Sequence, residues 1–226
     1  NFAGEIHTAG VVHEECFEGV AARSISELVN PDYVVIGEAS GLNIKTGQRG
    51  RAEILLETFG KAAHSANPEK GVNAVKKMCR LISELDKLQP PVHEQLGKGI
   101  MEMTDIISSP YPGASVVPEY CRATLDRRLL TGETKESVLA PVKELIARLE
   151  KEDPQFSAKA SFSVGKEKCY TDAEIQGERF FPGWYYDPKE DYIQKILGKV
   201  REAGYDPELT QYSFCTNGSH YAGEKG

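Results

Sequence analysis

Two glutamates stand side by side at Glu14 and Glu15, just after His13, and a third, Glu38, closes the short apolar run Val35-Ile36-Gly37. Adjacent carboxylates suit a divided task. One can ligate a metal while the other stays free as the base for a metal-bound water. Such a base needs its pKa moved toward neutrality, which burial and neighbouring negative charge both achieve. The same acids also suit a solvated helix N-terminus, where Glu14, Glu15 and Glu18 would face the positive end of the helix dipole. His64 sits among small residues in Gly60-Lys61-Ala62-Ala63-His64-Ser65-Ala66-Asn67-Pro68. An imidazole there could stabilise an oxyanion, or be an ordinary loop histidine. In Asp126-Arg127-Arg128 an arginine could clamp a substrate carboxylate with two bonds, or close a strand-end ion pair. Thr216-Asn217-Gly218-Ser219 is a turn with exposed donors. His13-Glu14 is not the zincin motif, because position 17 is Phe rather than a second His.

These residues need elements to position them. Residues 5–12 read as a strand and 17–28 as a short helix ended by Asn30-Pro31. Residues 32–37 read as a strand buried on both faces, as in a parallel sheet. Together they make a βαβ unit that brings Glu14, Glu15 and Glu38 to the carboxyl edge of the sheet, where ligands bind in open α/β folds. After Gly41 the pattern changes. Residues 51–59 alternate as a half-buried strand, and 71–88 carry an apolar helical stripe through Val72, Val75, Met78, Cys79, Ile82 and Leu85. Strands follow at 100–107 and within 114–130. A helix spans 134–151, bent or begun at Pro141, and a strand spans 156–164. The order β-α-β-β-α-β over roughly 48–166 is the ferredoxin-like signature. Residues 192–203 read as a helix and 209–214 as a strand leading into the Asn217-Gly218 turn.

The 226 residues allow one large domain or two small ones. Hydrophobic residues make up 40% and charged residues 27%, a soluble globular composition without an apolar run near the ~18 residues of a membrane span. Lys plus Arg is 27 and Asp plus Glu is 34, a net charge of −7. That balance argues against nucleic-acid and anionic-membrane partners. The five cysteines are far apart and form no C-x-x-C pair, which suits a reducing, cytoplasmic compartment. With no initiator Met and no closing element, the chain reads as a piece of something longer.

In this order the motifs resemble the co-catalytic zinc aminoacylase and carboxypeptidase superfamily, which includes acetylornithine deacetylase and succinyl-diaminopimelate desuccinylase. The matching stretches are His13-Glu14-Glu15, Val35-Ile36-Gly37-Glu38, Gly60 to Ser65 with Pro68 and Gly71-Val72-Asn73-Ala74, and Val116-Val117-Pro118 through Asp126-Arg127-Arg128 and Gly132-Glu133-Thr134. Gln48-Arg49-Gly50-Arg51, Asp126-Arg127-Arg128 and Thr216-Asn217-Gly218 are most similar to a bacterial branch described as selenium-metabolism-linked hydrolases.

The resemblance implies an α/β fold: a partial zinc-peptidase-type catalytic domain at 1–47 and 177–226, with an inserted ferredoxin-like lid at 48–176. It implies two zinc ions in the full protein, with cobalt or manganese as alternatives, and a homodimer through the lid. By resemblance Glu14 is the general base, and Glu15 and Glu38 are ligands of different metals. His64 stabilises the oxyanion, Arg128 contacts the substrate carboxylate, and Asn217 and Gly218 line the pocket. Ser115 stands at a substrate-contact position where many members have Asn. The substrate implied is an N-acyl amino acid or a short peptide with a free carboxylate. The family's His-x-Asp pair and bridging Asp lie upstream of its paired glutamates, and its last His ligand lies downstream of the glycine turn. Neither segment occurs here, and two carboxylates alone should hold zinc weakly. The alternative expectation is therefore a catalytically incomplete fragment or degenerate homologue whose lid is an interaction module. A third is a ferredoxin-like binding module of another kind.

Overall fold

The structure, a computed structural model, describes residues 3–226. In chain order its elements are α1 (Glu14–Phe17), α2 (Val20–Val29), β1 (Ile44–Gln48), β2 (Gly50–Phe59), α3 (Ala74–Leu85), β3 (Ile100–Ser109), β4 (Tyr120–Leu129), α4 (Lys135–Glu152), β5 (Ala158–Phe162), β6 (Val164–Lys168), β7 (Glu174–Glu178), β8 (Phe180–Phe181), β9 (Trp184–Tyr185), α5 (Asp191–Glu202) and β10 (Leu209–Tyr212). A π-helical turn, Ser219–Glu224, follows.

The main sheet is antiparallel, in the order β3-β4-β2-β5, with the short β8 also beside β2. Alternation builds it. Along β4, Cys121, Ala123, Leu125, Arg127 and Leu129 face the core, while Arg122, Thr124, Asp126 and Arg128 face away. Helices α3 and α4 cover the apolar face through Met78, Leu81, Leu85, Val142, Ile146 and Leu149. Asn73 caps α3 by accepting the Lys76 N–H, and Thr134 with Ser137 forms a reciprocal box at the start of α4. This is the ferredoxin-like lid. Pro141 lies inside α4 rather than at its start.

A second sheet, β9-β1-β10, pairs β1 antiparallel with β9 and parallel with β10. The chain enters the lid and returns from it through adjacent strands. Gly47 lies opposite Tyr185, Gln48 opposite Trp184, and Arg51 opposite Phe181. Gly50 marks the crossing, because a Cβ there would lie 2.2 Å from the Phe181 carbonyl oxygen and 2.3 Å from the Gly183 nitrogen.

Two expectations are corrected. Residues 5–12 and 32–37 form no strand. A strand buried on both faces needs neighbours at both edges, and among the described residues nothing pairs with these runs. Ile6, Tyr33 and Val35 are accordingly exposed, Val35 at 92%. The helix expected over 17–28 is present as α2, with Phe17 in the preceding turn α1, and without its two flanking strands the βαβ unit is not formed. The hairpin β6–β7 was not foreseen. Its facing glycines, Gly165 and Gly177, leave room for Phe17 and Val20.

Candidate active site

Turn α1 carries Glu14 and Glu15. Non-glycine residues with positive φ flank it, His13 at 52° and Glu18 at 20°. Such backbone persists only where surrounding contacts fix it. Phe17 provides one, buried against Phe181 and Cys215 with the Arg179 guanidinium 5.5 Å from its ring centroid.

Glu14 is half-buried, and its Oε1 has no hydrogen-bond partner. Burial, then the charges of Glu38, Glu15 and Glu18, push its carboxyl up to about 7, while the Asn217 backbone N–H pulls the other way. Those influences put Glu14, Glu38 and the Asn217 turn in one neighbourhood. Glu38 also neighbours Tyr212 of β10, whose hydroxyl is raised chiefly by burial and then by Glu38. Glu15 is exposed.

The Asn217 turn is fixed by β1. Thr216 Oγ1 donates to Gln48 Oε1 at 2.7 Å, the Gly218 N–H donates to Thr216 Oγ1 at 3.0 Å, and Gln48 Nε2 donates to the Thr216 carbonyl at 3.2 Å. Gly218 is required here, since a Cβ would lie 2.6 Å from Trp184 Nε1. Asn217 is buried with Oδ1 unpartnered. A clamp holds the far side. His220 lies between Ser26 of α2, 2.7 Å away, and Glu224, 2.6 Å away, and Arg23 also binds Glu224. The order Ser-His-Glu looks nucleophilic. However, Ser26 is buried and donates its hydroxyl to the Arg23 carbonyl, so the array fastens the turn to α2.

Asp126-Arg127-Arg128 divides by strand alternation. Arg127 faces the core, bound to Glu133 at 2.6 Å and to the Ile100 carbonyl at 2.7 Å, and burial lowers its pKa. Arg128 faces the glutamate turn. Its Nε holds Asp126 at 2.8 Å, and its charge acts on Glu18 and Cys215. His64 and Ser115 meet each other elsewhere. His64 pairs with Val116 in a two-strand ladder, and the Ser65 N–H donates to the Ser115 carbonyl at 2.9 Å. Both residues are exposed, and among the described residues no hydrogen bond or ion pair joins His64 to the glutamates.

Glu18 is what sequence reading missed. It was grouped with solvated acids, yet it is 6% exposed and paired with Arg51. Among the described residues, no three His, Cys, Asp or Glu side chains gather closely enough to hold a metal. The carboxylates of Glu15 and Glu38 fit a share of a metal's ligands, not a whole zinc site, and the unpartnered Glu14 Oε1 is left free beside them.

The raised Glu14 carboxyl has a measurable consequence. Unfolded, it titrates near the ordinary 4.5; folded, near 7. Between those values the native state keeps a proton that the unfolded chain has lost, so stability falls as pH rises through this window. Glu14→Gln should match the wild type at pH 4 in chelator-treated buffer. At pH 8 it should be more stable by about 1 kcal/mol, after discounting for partial exposure. Urea melts at the two pH values check this, and an identical difference at both would contradict it.

The fold and site can be set beside known proteins. Residues 46–154 match the family model of the peptidase dimerisation domain. The chain is 31% identical over 223 residues to the uncharacterised protein YgeY of Escherichia coli K12, covering 96% of this chain and 54% of YgeY. It is 27% identical over 188 residues to succinyl-diaminopimelate desuccinylase of Paracoccus denitrificans, covering 79% of this chain and 44% of that enzyme. The chain spans about half the length of these relatives. Aminopeptidase PepT from Bacillus cereus shares the fold, with a TM-score of 0.66 at 17% identity over 92% of this chain and 51% of PepT. No helix among the described residues is long and apolar enough to cross a membrane.

Proposed function

We propose that the full-length protein carrying this sequence is a metal-dependent amide hydrolase acting on an N-acyl amino acid or a short peptide with a free carboxylate. The observation that carries the reading is Glu14, half-buried with Oε1 unpartnered beside Glu38, Glu15, Glu18 and the Asn217 turn, surroundings that raise its carboxyl in the metal-free chain. A group so poised takes a proton from water as carboxylate and returns it as acid at neutral pH. The names of the relatives, a desuccinylase and an aminopeptidase, support amide bonds as the target.

Zinc, with cobalt or manganese as alternatives, would supply Lewis-acid polarisation with Glu15 and Glu38 among its ligands. This chain's residues do the rest. Glu14 accepts the proton of the attacking water and delivers it to the departing nitrogen. Arg128, whose Nε is engaged by Asp126, turns its remaining N–H groups to the substrate carboxylate. Asn217 and Gly218 line the pocket, with Ser115 a further contact. His64 reaches the oxyanion from a second copy of the chain, in keeping with its exposed place beside Val116 and with no bond to the glutamates among the described residues of one copy. The dimer runs through the lid, where among the described residues β3 pairs with β4 alone and exposes Ile106 and Ile107. Five unpaired cysteines suit the cytoplasm.

The reading is tested by amino-acid release from N-acyl amino acids with and without a chelator. Arg128→Ala should raise KM about 10-fold or more with a smaller change in kcat, as loss of a charged hydrogen bond implies. No chelator-sensitive release from any such substrate would defeat it. A second reading, a non-catalytic interaction module, rests on the incomplete ligand set. Tight binding of two metals per full-length chain would remove it.

A further inference from the structure

Glu18 combines two features that a stability-driven residue would not, beside one favourable bond. Its backbone has φ 20° and ψ −73° at the end of α1, a region that strains any residue with a side chain. Its carboxylate is 6% exposed, and its Oε2 is buried without a partner, an arrangement that lowers stability. Its Oε1 accepts from Arg51 Nη1 at 2.9 Å.

Arg51 belongs to β2, the first long strand of the lid sheet, and is held on its other sides. Its Nε donates to Asp126 at 2.9 Å, and its Nη2 lies 3.4 Å from Glu53, which Arg179 binds at 2.8 Å. Asp126 in turn holds Arg128 at 2.8 Å. The guanidinium is therefore a fixed point of the lid, bonded through a planar fork that tolerates little rotation. Through Glu18 it grips a turn of four residues, Glu14 to Phe17, which is too short to be rigid by itself.

We propose that Glu18 is a positioning residue through which Arg51 of the lid sets the orientation of Glu14. The inference rests on the amide-hydrolase reading for its consequence in turnover, but not for its structural part. The lid and the base move as one body while the Glu18–Arg51 bond stands. Without that bond the turn is no longer held to the lid, and Glu14 loses the orientation that proton transfer needs. The same Asp126 that braces Arg51 also braces Arg128, which ties substrate-carboxylate contact to the setting of the base.

Glu18→Ala, Glu18→Gln, Arg51→Met and the Glu18→Ala/Arg51→Met double variant of the full-length protein test this. Expected is a kcat at least tenfold lower for Glu18→Ala and Arg51→Met, with KM within about twofold. The double variant should lose no more than either single, since both break one link. Glu18→Gln, which still accepts from Arg51, should recover most of the loss. Hydrogen exchange supplies the arm that needs no activity. Amides of residues 13–19 should exchange faster in Glu18→Ala, while α3 and α4 keep their protection. Unchanged exchange over 13–19, or exchange raised uniformly across the chain, overturns the proposal, as does a loss that appears in KM alone. If the wild type shows no amide hydrolysis, the functional reading fails, and the exchange pattern still decides the coupling.

Discussion

Glu14→Ala in the full-length protein is expected to lower kcat by about 10³-fold while metal content stays near wild type, within the range for loss of a general base. The side chain is not a ligand in the proposed assignment, so its removal should leave binding of metal and substrate intact. KM should therefore move little, the signature of an interaction made only in the transition state. The pH dependence has a definite sign. Attack needs the carboxylate; burial with the surrounding glutamates raises this carboxyl in the metal-free chain, and a bound cation beside it pulls the other way. In the wild type, kcat/KM should rise as pH increases through the range in which it titrates, and the variant's residual rate should lack the inflection. Turnover above a tenth of wild type would remove Glu14 from the role. Steady-state kinetics with parallel metal analysis decides it.

Gly50→Ala should be a strongly damaging single methyl group in the lid. The new Cβ would sit 2.2 Å from the Phe181 carbonyl oxygen and 2.3 Å from the Gly183 nitrogen. Both obstacles are backbone, so no rotamer change relieves the overlap, and β2 must part from β8. Overpacking of flexible side chains typically costs about 1–3 kcal/mol, and a backbone clash should exceed that. At 2–4 °C per kcal/mol for a chain of this size, the midpoint should fall by roughly 10 °C. Gly198→Ala is the matched control. It lies inside α5, a Cβ there meets nothing within 4 Å, and alanine is the better helix former. It should raise the midpoint slightly. Equal midpoints for the two variants would mean that the crossing is looser than its geometry.

The lid was the legible part. Its strands bury one face each against near neighbours, so alternation in β2, β4 and β5 is already in the residues, and the stripe of α3 is in part: Met78 and Leu85 are buried as expected, but Cys79 is exposed and Leu81 is buried in its place. The flanking runs failed for a physical reason. Val34, Val35 and Ile36 advertise burial, but burial is delivered by pairing partners that the described residues do not supply. Hairpin β6–β7 was hidden by its polar composition. The only hint was the symmetric placement of Gly165 and Gly177 about its turn. In the site, Glu14, Glu38, Arg128 and Asn217 were readable by type and come into one neighbourhood. Glu18 was not, because an acid one turn after two others looks solvated until Arg51, distant in sequence, comes beside it. His220 was likewise invisible as a clamp, since Ser26 lies 194 positions away.

The side-by-side strands through which the chain enters and leaves the lid carry a consequence for how such a protein could arise. Gln48 faces Trp184 across one ladder, so the residues between them leave and return at a single point. To the rest of the molecule this long excursion has the end-to-end span of a tight turn. Lengthening a loop between fixed, adjacent ends costs entropy only logarithmically, about 0.6 kcal/mol per doubling. A gene could therefore acquire, trade or lose the whole lid at that neck with little penalty to the remaining fold.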